Sequence, residues 1–257
     1  MTITASMILE IAGVYLWPFL RIGALLMVMP AIGGSFVPAR VRILLAMALT
    51  MVIAPTLPPP PAVDVLSLAG VMTVGREVLI GMVMGFVVQV VFDAIALGGQ
   101  IISMSMGLGF AVFVDQQRGI NIPVLGQLFM LLSLLLFFVV DGHLAMIRLL
   151  ADSFRILPID GSGISQGLLG GTLQWVGQLF VVAVKIALPA ITALIIVNLS
   201  FGVMSRAAPT LNLFAVGFPA AMLLGFVAIF LSMGNLQENV SQLLDAALAL
   251  LPKLLES

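Results

Sequence analysis

The sequence predicts an all-α, membrane-associated chain built of helical hairpins with kinked and broken helices. Three observations carry this. Of 257 residues, 62% are hydrophobic and only 8% charged, against about 45–50% and about 25% in soluble domains. The mean hydropathy is +1.27, more apolar surface than a sphere of this size can hide from water. The apolar residues come in long unbroken runs without the period-two alternation of a membrane barrel, and a spanning helix needs about 20 such residues. The same composition excludes other classes. Ten basic and eleven acidic residues give a net charge of −1 with no basic cluster, so nucleic acid is not a predicted partner. With no cysteine and one histidine, His143, neither disulfides nor thiolate or zinc sites are available. No cofactor and no metal are expected.

The first apolar run is 11–32, with Trp17 and Arg21 inside it. It is too long for the apolar core of a cleaved leader and has no preceding basic residue, so it reads as a helix. Gly33, Gly34 and Pro38 end it, and Arg40 and Arg42 fall on a short loop. A charge-free stretch, 43–63, follows and closes on Pro58-Pro59-Pro60-Pro61, which a helix does not cross. A third helix is predicted from about Asp64 to Leu97, interrupted by Arg76 and Glu77, with Asp93 near its end and Gly98-Gly99 bending or ending it. Residues 107–121 read as a loop despite their hydrophobicity, because each glycine there costs a helix about 1 kcal/mol against alanine.

Residues 122–140 form another charge-free helix, stopped by Asp141-Gly142-His143. A shorter amphipathic helix, 143–157, carries Arg148, Asp152 and Arg155 at spacings that lace one face with opposite charges. A turn-rich loop from Pro158 to Gly163 leads to two long apolar runs, 168–205 and 211–234, joined by Arg206-Ala207-Ala208-Pro209. They read as a helical hairpin, with Lys185 and Pro189 marking a buried cation and a kink. The tail 235–251 is amphipathic, with Leu236, Val240, Leu243, Leu244, Ala247 and Leu251 on one face and Glu238, Gln242 and Asp245 away from it. The loop 33–42 is the only one with a clear excess of basic residues, so the charge signal for topology is weak.

Several patterns hint at chemistry. Gly163-Ile164-Ser165-Gln166-Gly167 matches a hydrolase elbow in letters, but that elbow needs a strand before it; a serine capping the next helix is the simpler reading. Gly81-Met82-Val83-Met84-Gly85 is a small-xxx-small pattern that lets helices approach closely. Arg21, Asp93 and Lys185 lie in or near apolar runs, where charge is expensive and marks either an ion or substrate path or paired groups at assembly interfaces. The segment from Ser105 to Gly119 is the most unusual: glycine-rich backbone at membrane depth is tolerated only when buried in protein or lining a cavity. Phe110 and Phe113 on it suit either a movable obstruction or a packed re-entrant turn.

Short motifs in a fixed order then point to a family. They are Gly107-Leu108-Gly109-Phe110-Ala111-Val112-Phe113-Val114-Asp115, Asn121-Ile122-Pro123, Asp141-Gly142-His143-Leu144, Ala187-Leu188-Pro189-Ala190-Ile191-Thr192 and the run from Arg206 to Pro219. The chain resembles the FliR family of flagellar type III protein export gate subunits and their virulence-system counterparts, from about Ile11 to Leu250. Gln116 and Thr210 depart from the family's usual proline and glutamine.

The resemblance implies a non-enzymatic subunit of an export channel for unfolded proteins, at the bacterial inner membrane in the flagellar basal body. It implies a helical pore assembly with FliP and FliQ, on which FlhB docks, and contact with membrane lipid. Residues 1–160 would be the FliP-like part and 161–257 the FliQ-like hairpin with its tail. The plug loop, 107–119, would close the pore with Phe110, Phe113 and Val114, hinged on Gly107, Gly109 and Gly119 and sealed by Met104 and Met106. Arg21, Asp93, Lys185 and Arg206 would be charges buried at subunit interfaces. The alternative is a secondary transporter of a small solute using Arg21, Asp93 and Lys185; it would show two related halves with broken helices, and no such symmetry is visible. A membrane enzyme is the poorest option, for want of a nucleophile–base pair.

Overall fold

The computed structural model describes residues 5–34, 37–58, 67–108, 124–159, 166–207 and 213–256. Among them every regular element is helical. Helix α1 is Ala5–Val28, α2 the single turn Pro30–Gly33 and α3 Ala39–Ile53, ended by a 3-10 turn, Ala54–Thr56. Helix α4, Leu68–Ser105, runs for 38 residues. Then come α5 (Val124–Val139), α6 (Gly142–Ile156), α7 (Gln166–Ala207) and α8 (Leu213–Glu256). Among the described residues four helical stretches are long and apolar enough to cross a membrane: Ala39–Thr56, Leu68–Ser105, Gly167–Ala207 and Val216–Gly234.

Local chemistry sets the helix ends. Pro30 opens α2, where its missing N–H costs nothing. Arg40 and Arg42 lie in the first turn of α3 rather than on a loop. The Arg42 guanidinium donates to the carbonyls of Gly34, at 2.5 Å, and Val37, at 2.8 Å, tying down the connection before α3. Ser67 caps α4, its Oγ accepting from the Gly70 N–H at 3.1 Å. At the other end of α4 the Gly107 N–H donates to Met104 O (3.0 Å) and the Leu108 N–H to Ser103 O (3.1 Å). With Gly107 at φ 80°, this is a Schellman stop, whose left-handed residue is best met by glycine. Between α5 and α6, Asp141 takes the left-handed conformation, φ 56°, one that aspartate tolerates better than most residues.

Two predicted boundaries are corrected. Gly98-Gly99 does not end the third helix; α4 continues to Ser105. A Cβ on Gly98 would lie 3.2 Å from Ala183 O of α7, and one on Gly99 would lie 2.8 Å from Leu125 O of α5. Gly126 of α5 returns the arrangement, its Cβ position being 2.9 Å from Ala96 O. Close helix contact on two sides outweighs the propensity cost of two glycines. The amphipathic tail is not a separate segment either: α8 passes through residue 235 without a break. Its predicted faces hold, with Leu236, Val240, Leu244, Ala247 and Leu251 buried and Glu238, Gln242 and Asp245 exposed. Pro189 is likewise absorbed within the continuous helix α7.

The chain forms two compact units, each discontinuous in sequence. The first comprises Met1–Val90, Asp141–Val176 and Leu244–Ser257, the second Val91–Val140 and Gly177–Leu243. The first buries Trp17, Ile22, Met84, Val87, Met146 and Phe154, and the Trp175 indole N–H donates to Val87 O at 2.9 Å. The second is centred on Phe92, Ile95, Phe129 and Phe137, with Phe92 and Phe137 edge to face at 5.6 Å. Outward faces stay apolar: Leu44, Met51 and Val52 on α3, Leu173, Phe180 and Leu199 on α7, and Leu223, Phe230 and Leu231 on α8 are all exposed. Patches of this kind demand lipid or protein against them.

Candidate functional site

The first unit contains a buried ion pair that is set by a glycine crossing. On α4, Glu77, Gly81 and Gly85 recur every fourth residue and so share one face. On α1, Arg21, Leu25 and Val28, spaced four and three apart, likewise share one face. A Cβ on Gly81 would run into the Arg21 carbonyl and stand 2.9 Å from the Ala24 Cβ; one on Gly85 would stand 2.9 Å from Leu25 O and 3.0 Å from the Val28 Cβ. Residue numbers rise together along both faces, so the two helices run parallel through the contact. The small-xxx-small pattern therefore works within the chain, allowing backbones to touch.

One turn before Gly81, that approach places Glu77 against Arg21. Both side chains are wholly inaccessible to solvent (0% exposed). The guanidinium donates from Nε to Glu77 Oε2 at 2.7 Å and from Nη2 to Glu77 Oε1 at 3.0 Å, the bidentate fork that suits arginine better than lysine. Nη2 also donates to Leu157 O at 2.9 Å, and Nη1 to Ser153 Oγ at 3.1 Å. Ser153 passes its own proton to Leu150 O at 2.7 Å. The Phe154 ring lies under the guanidinium, 4.1 Å from Cζ, in cation–π range. Beside it, Arg76 Nη1 donates to Pro158 O at 3.0 Å. Arg21 thus joins α1, α4 and the end of α6 through four hydrogen bonds. The arrangement holds three segments in place; among the described residues it offers no nucleophile–base pair, and no group of three or more His, Asp or Glu side chains could hold a metal.

The other predicted charges fare differently. Asp93, Lys185 and Arg206 are exposed in this chain, unlike Arg21. The Arg21 guanidinium gives four hydrogen bonds to Glu77, Ser153 and Leu157, all within the first unit. Of the plug and seal residues, Met104 is exposed, whereas Met106 is buried and fills the space over Gly225 of α8. Gly107 serves as the stop of α4. Gly109, Phe110, Phe113, Val114 and Gly119 lie outside the described residues, as does Ser165 of the elbow-like pattern.

Sequence reasoning missed Glu77, Ser153 and Phe154 as partners of Arg21. A signal for Glu77 was present: in a chain with so few charges, a carboxylate four residues before a Gly-xxx-Gly pair shares its face.

Described residues that are all helical in their regular elements, several apolar helices of membrane length, close glycine crossings and an internally neutralised arginine mark a membrane protein. Comparison with known families narrows this. Residues 12–247 match the model described as bacterial export proteins, family 1. The chain is 38% identical to the flagellar biosynthetic protein FliR of Escherichia coli K12 over 223 residues, covering 87% of this chain and 85% of that protein. It is 38% identical to FliR of Pectobacterium carotovorum, with 84% and 82% covered, and 26% identical to FliR of Bacillus subtilis, with 88% of each covered. The chain belongs to the FliR family of bacterial export proteins.

Proposed function

We propose that this protein is a non-enzymatic subunit of the flagellar type III protein export gate, in the bacterial inner membrane at the basal body. The observation that carries this reading is the 38% identity, across nearly the whole chain, to a protein named for flagellar biosynthesis in a family of export proteins. The apolar outward faces of α3, α7 and α8 support it, because they leave room for subunit contacts as well as lipid. In this reading the chain assembles with FliP and FliQ into a helical pore, FlhB docks on it, and unfolded polypeptides pass. Residues 1–160 supply the FliP-like part and 161–257 the FliQ-like hairpin and tail. Loop 107–119 closes the pore with Phe110, Phe113 and Val114, hinged on Gly107, Gly109 and Gly119, while Met104 and Met106 contribute to the seal. Asp93, Lys185 and Arg206, exposed in the single chain, meet neighbouring subunits.

Native mass spectrometry after co-expression with FliP and FliQ tests the assembly: a defined mixed complex is expected, and a monomer or homodimer indifferent to them refutes the reading. Deleting 110–114 tests the plug. Ion leakage across the membrane is expected, and unchanged conductance removes the plug from the account.

A further inference from the structure

Met106, the residue before the stop of α4, sits in a notch of α8 within the second unit. Along this part of α8 the buried positions Ala221, Gly225 and Ile229 recur every fourth residue, while Leu223, Leu224, Phe226 and Val227 around them are exposed. Gly225 keeps an ordinary helical backbone, so the conformational freedom of glycine is not used there, and glycine is a poor helix former. What it provides is room. A Cβ at Gly225 would stand 2.5 Å from the Met106 Cγ and 2.7 Å from both its Sδ and its Cε. Three consecutive atoms of one thioether side chain fill the notch, and Met106 is 1% exposed.

The place along α4 is as specific as the fit. The Met106 N–H makes the last i to i−4 bond of the helix, to Ile102 O at 2.9 Å. The next residue is Gly107 at φ 80°, and the Leu108 N–H closes the stop on Ser103 O. The notch therefore grips the chain at the point where it leaves the helix. Two turns earlier the contacts are of another kind. There the carbonyls of Ala183 and Leu125 come against Gly98 and Gly99, and backbone contacts of this sort leave little slack. Methionine has three rotatable bonds and a soft sulfur, so Met106 can leave its notch and return by side-chain rotation alone.

We infer that Met106 is a positioning residue: seated against Gly225, it fixes the direction in which the chain leaves α4 and ties that exit to α8. The inference rests on the reading of 107–119 as the plug and deepens it. Met106 then contributes to the seal as an anchor rather than as a wall of the pore, and displacement of α8 from Met106 frees Gly107 to act as a hinge.

The test follows ion leakage across the membrane in cells that co-express the chain with FliP and FliQ, with deletion of 110–114 as the reference. Gly225→Ala puts a methyl group where the thioether lies and evicts it. The displaced atoms belong to the far part of a flexible side chain and alanine favours the helix, so the purified variant keeps its melting midpoint. Leakage is expected to rise roughly tenfold over wild type, the scale of a modest packing loss acting on a two-state equilibrium. Met106→Ala is expected to leak likewise. Met106→Ala combined with Gly225→Leu returns the knob from the opposite helix and closes the pore again, a rescue that loss of stability alone does not give. Gly234→Ala, on the same helix with nothing near its Cβ position, is the control and stays tight. If either single variant stays tight while the deletion leaks, or if the paired variant fails to reverse the leak, the anchor is overturned and the plug stands. If the deletion itself does not leak, the plug reading fails and the anchor falls with it.

Discussion

Glu77→Ala is the most informative single perturbation. It leaves the Arg21 guanidinium fully buried, removes its two bonds to the carboxylate at 2.7 and 3.0 Å and leaves only Ser153 Oγ and Leu157 O to accept from it. Breaking a buried pair by removing one partner costs about 3–5 kcal/mol. With about 2 °C of melting midpoint per kcal/mol for a chain of this size, the expected loss is about 6–10 °C. The exposed pair Arg155–Asp152, 3.8 Å apart with side chains 73% and 56% exposed, serves as an internal control. Asp152→Asn is expected to shift the midpoint by no more than about 2 °C, since such pairs contribute about 0–1 kcal/mol. The assay is thermal unfolding of the detergent-purified chain, followed by tryptophan fluorescence or by the monodisperse fraction after heating. A double variant, Arg21→Met with Glu77→Met, is expected to regain more than half of the loss by removing both charges. It does not regain all of it, because Leu157 O loses its donor. A Glu77→Ala midpoint no lower than that of Asp152→Asn would refute the claim that this pair is buried and fully committed.

Other expectations follow from the same geometry. Gly81→Leu must push α1 off α4 and should destabilise the chain by more than about 2 kcal/mol, whereas Gly75→Ala, with nothing near its Cβ position, should be neutral or gain up to about 1 kcal/mol from helix propensity; thermal melts of the pair compare them directly. Gly107→Ala forces a Cβ into φ 80° and should cost about 1–2 kcal/mol, whereas Gly107→Asn should cost less, because asparagine accepts that conformation. Trp175→Phe removes the bond to Val87 O and should lower stability by about 0.5–1.5 kcal/mol, leaving the apolar packing largely in place.

Composition and run length were enough for the fold class, since so little charge leaves the chain no aqueous alternative. Helix starts and stops were less legible. Gly98-Gly99 looked like a break because propensity is local, whereas the contacts that reward those glycines come from α5 and α7, 26 residues or more away along the chain. The tail's apolar face was visible in its spacing, but the continuity of α8 through residue 235 was not, because the apolar run gives way there to an amphipathic pattern. The ion pair was half visible. Arg21 was an obvious anomaly; its partner lies 56 residues on, beyond any periodic pattern. Gly107, singled out from the sequence, is the stop of α4.

The sequence separation within the Arg21 cluster also sets a timetable for biosynthesis. Arg21 is made 56 residues before Glu77 and 132 before Ser153. At about 5–20 residues per second, the arginine waits several seconds for its carboxylate and longer for its hydroxyl. A buried arginine without its carboxylate is costly, so α1 cannot settle with Arg21 inside the fold until α4 has emerged and packed against it. Burial of that face of the first helix is thereby made conditional on the third long one. A chain cut short before Glu77 should leave its amino-terminal helix unanchored and open to proteolysis, so that incomplete copies are cleared before they can occupy a place in an assembly.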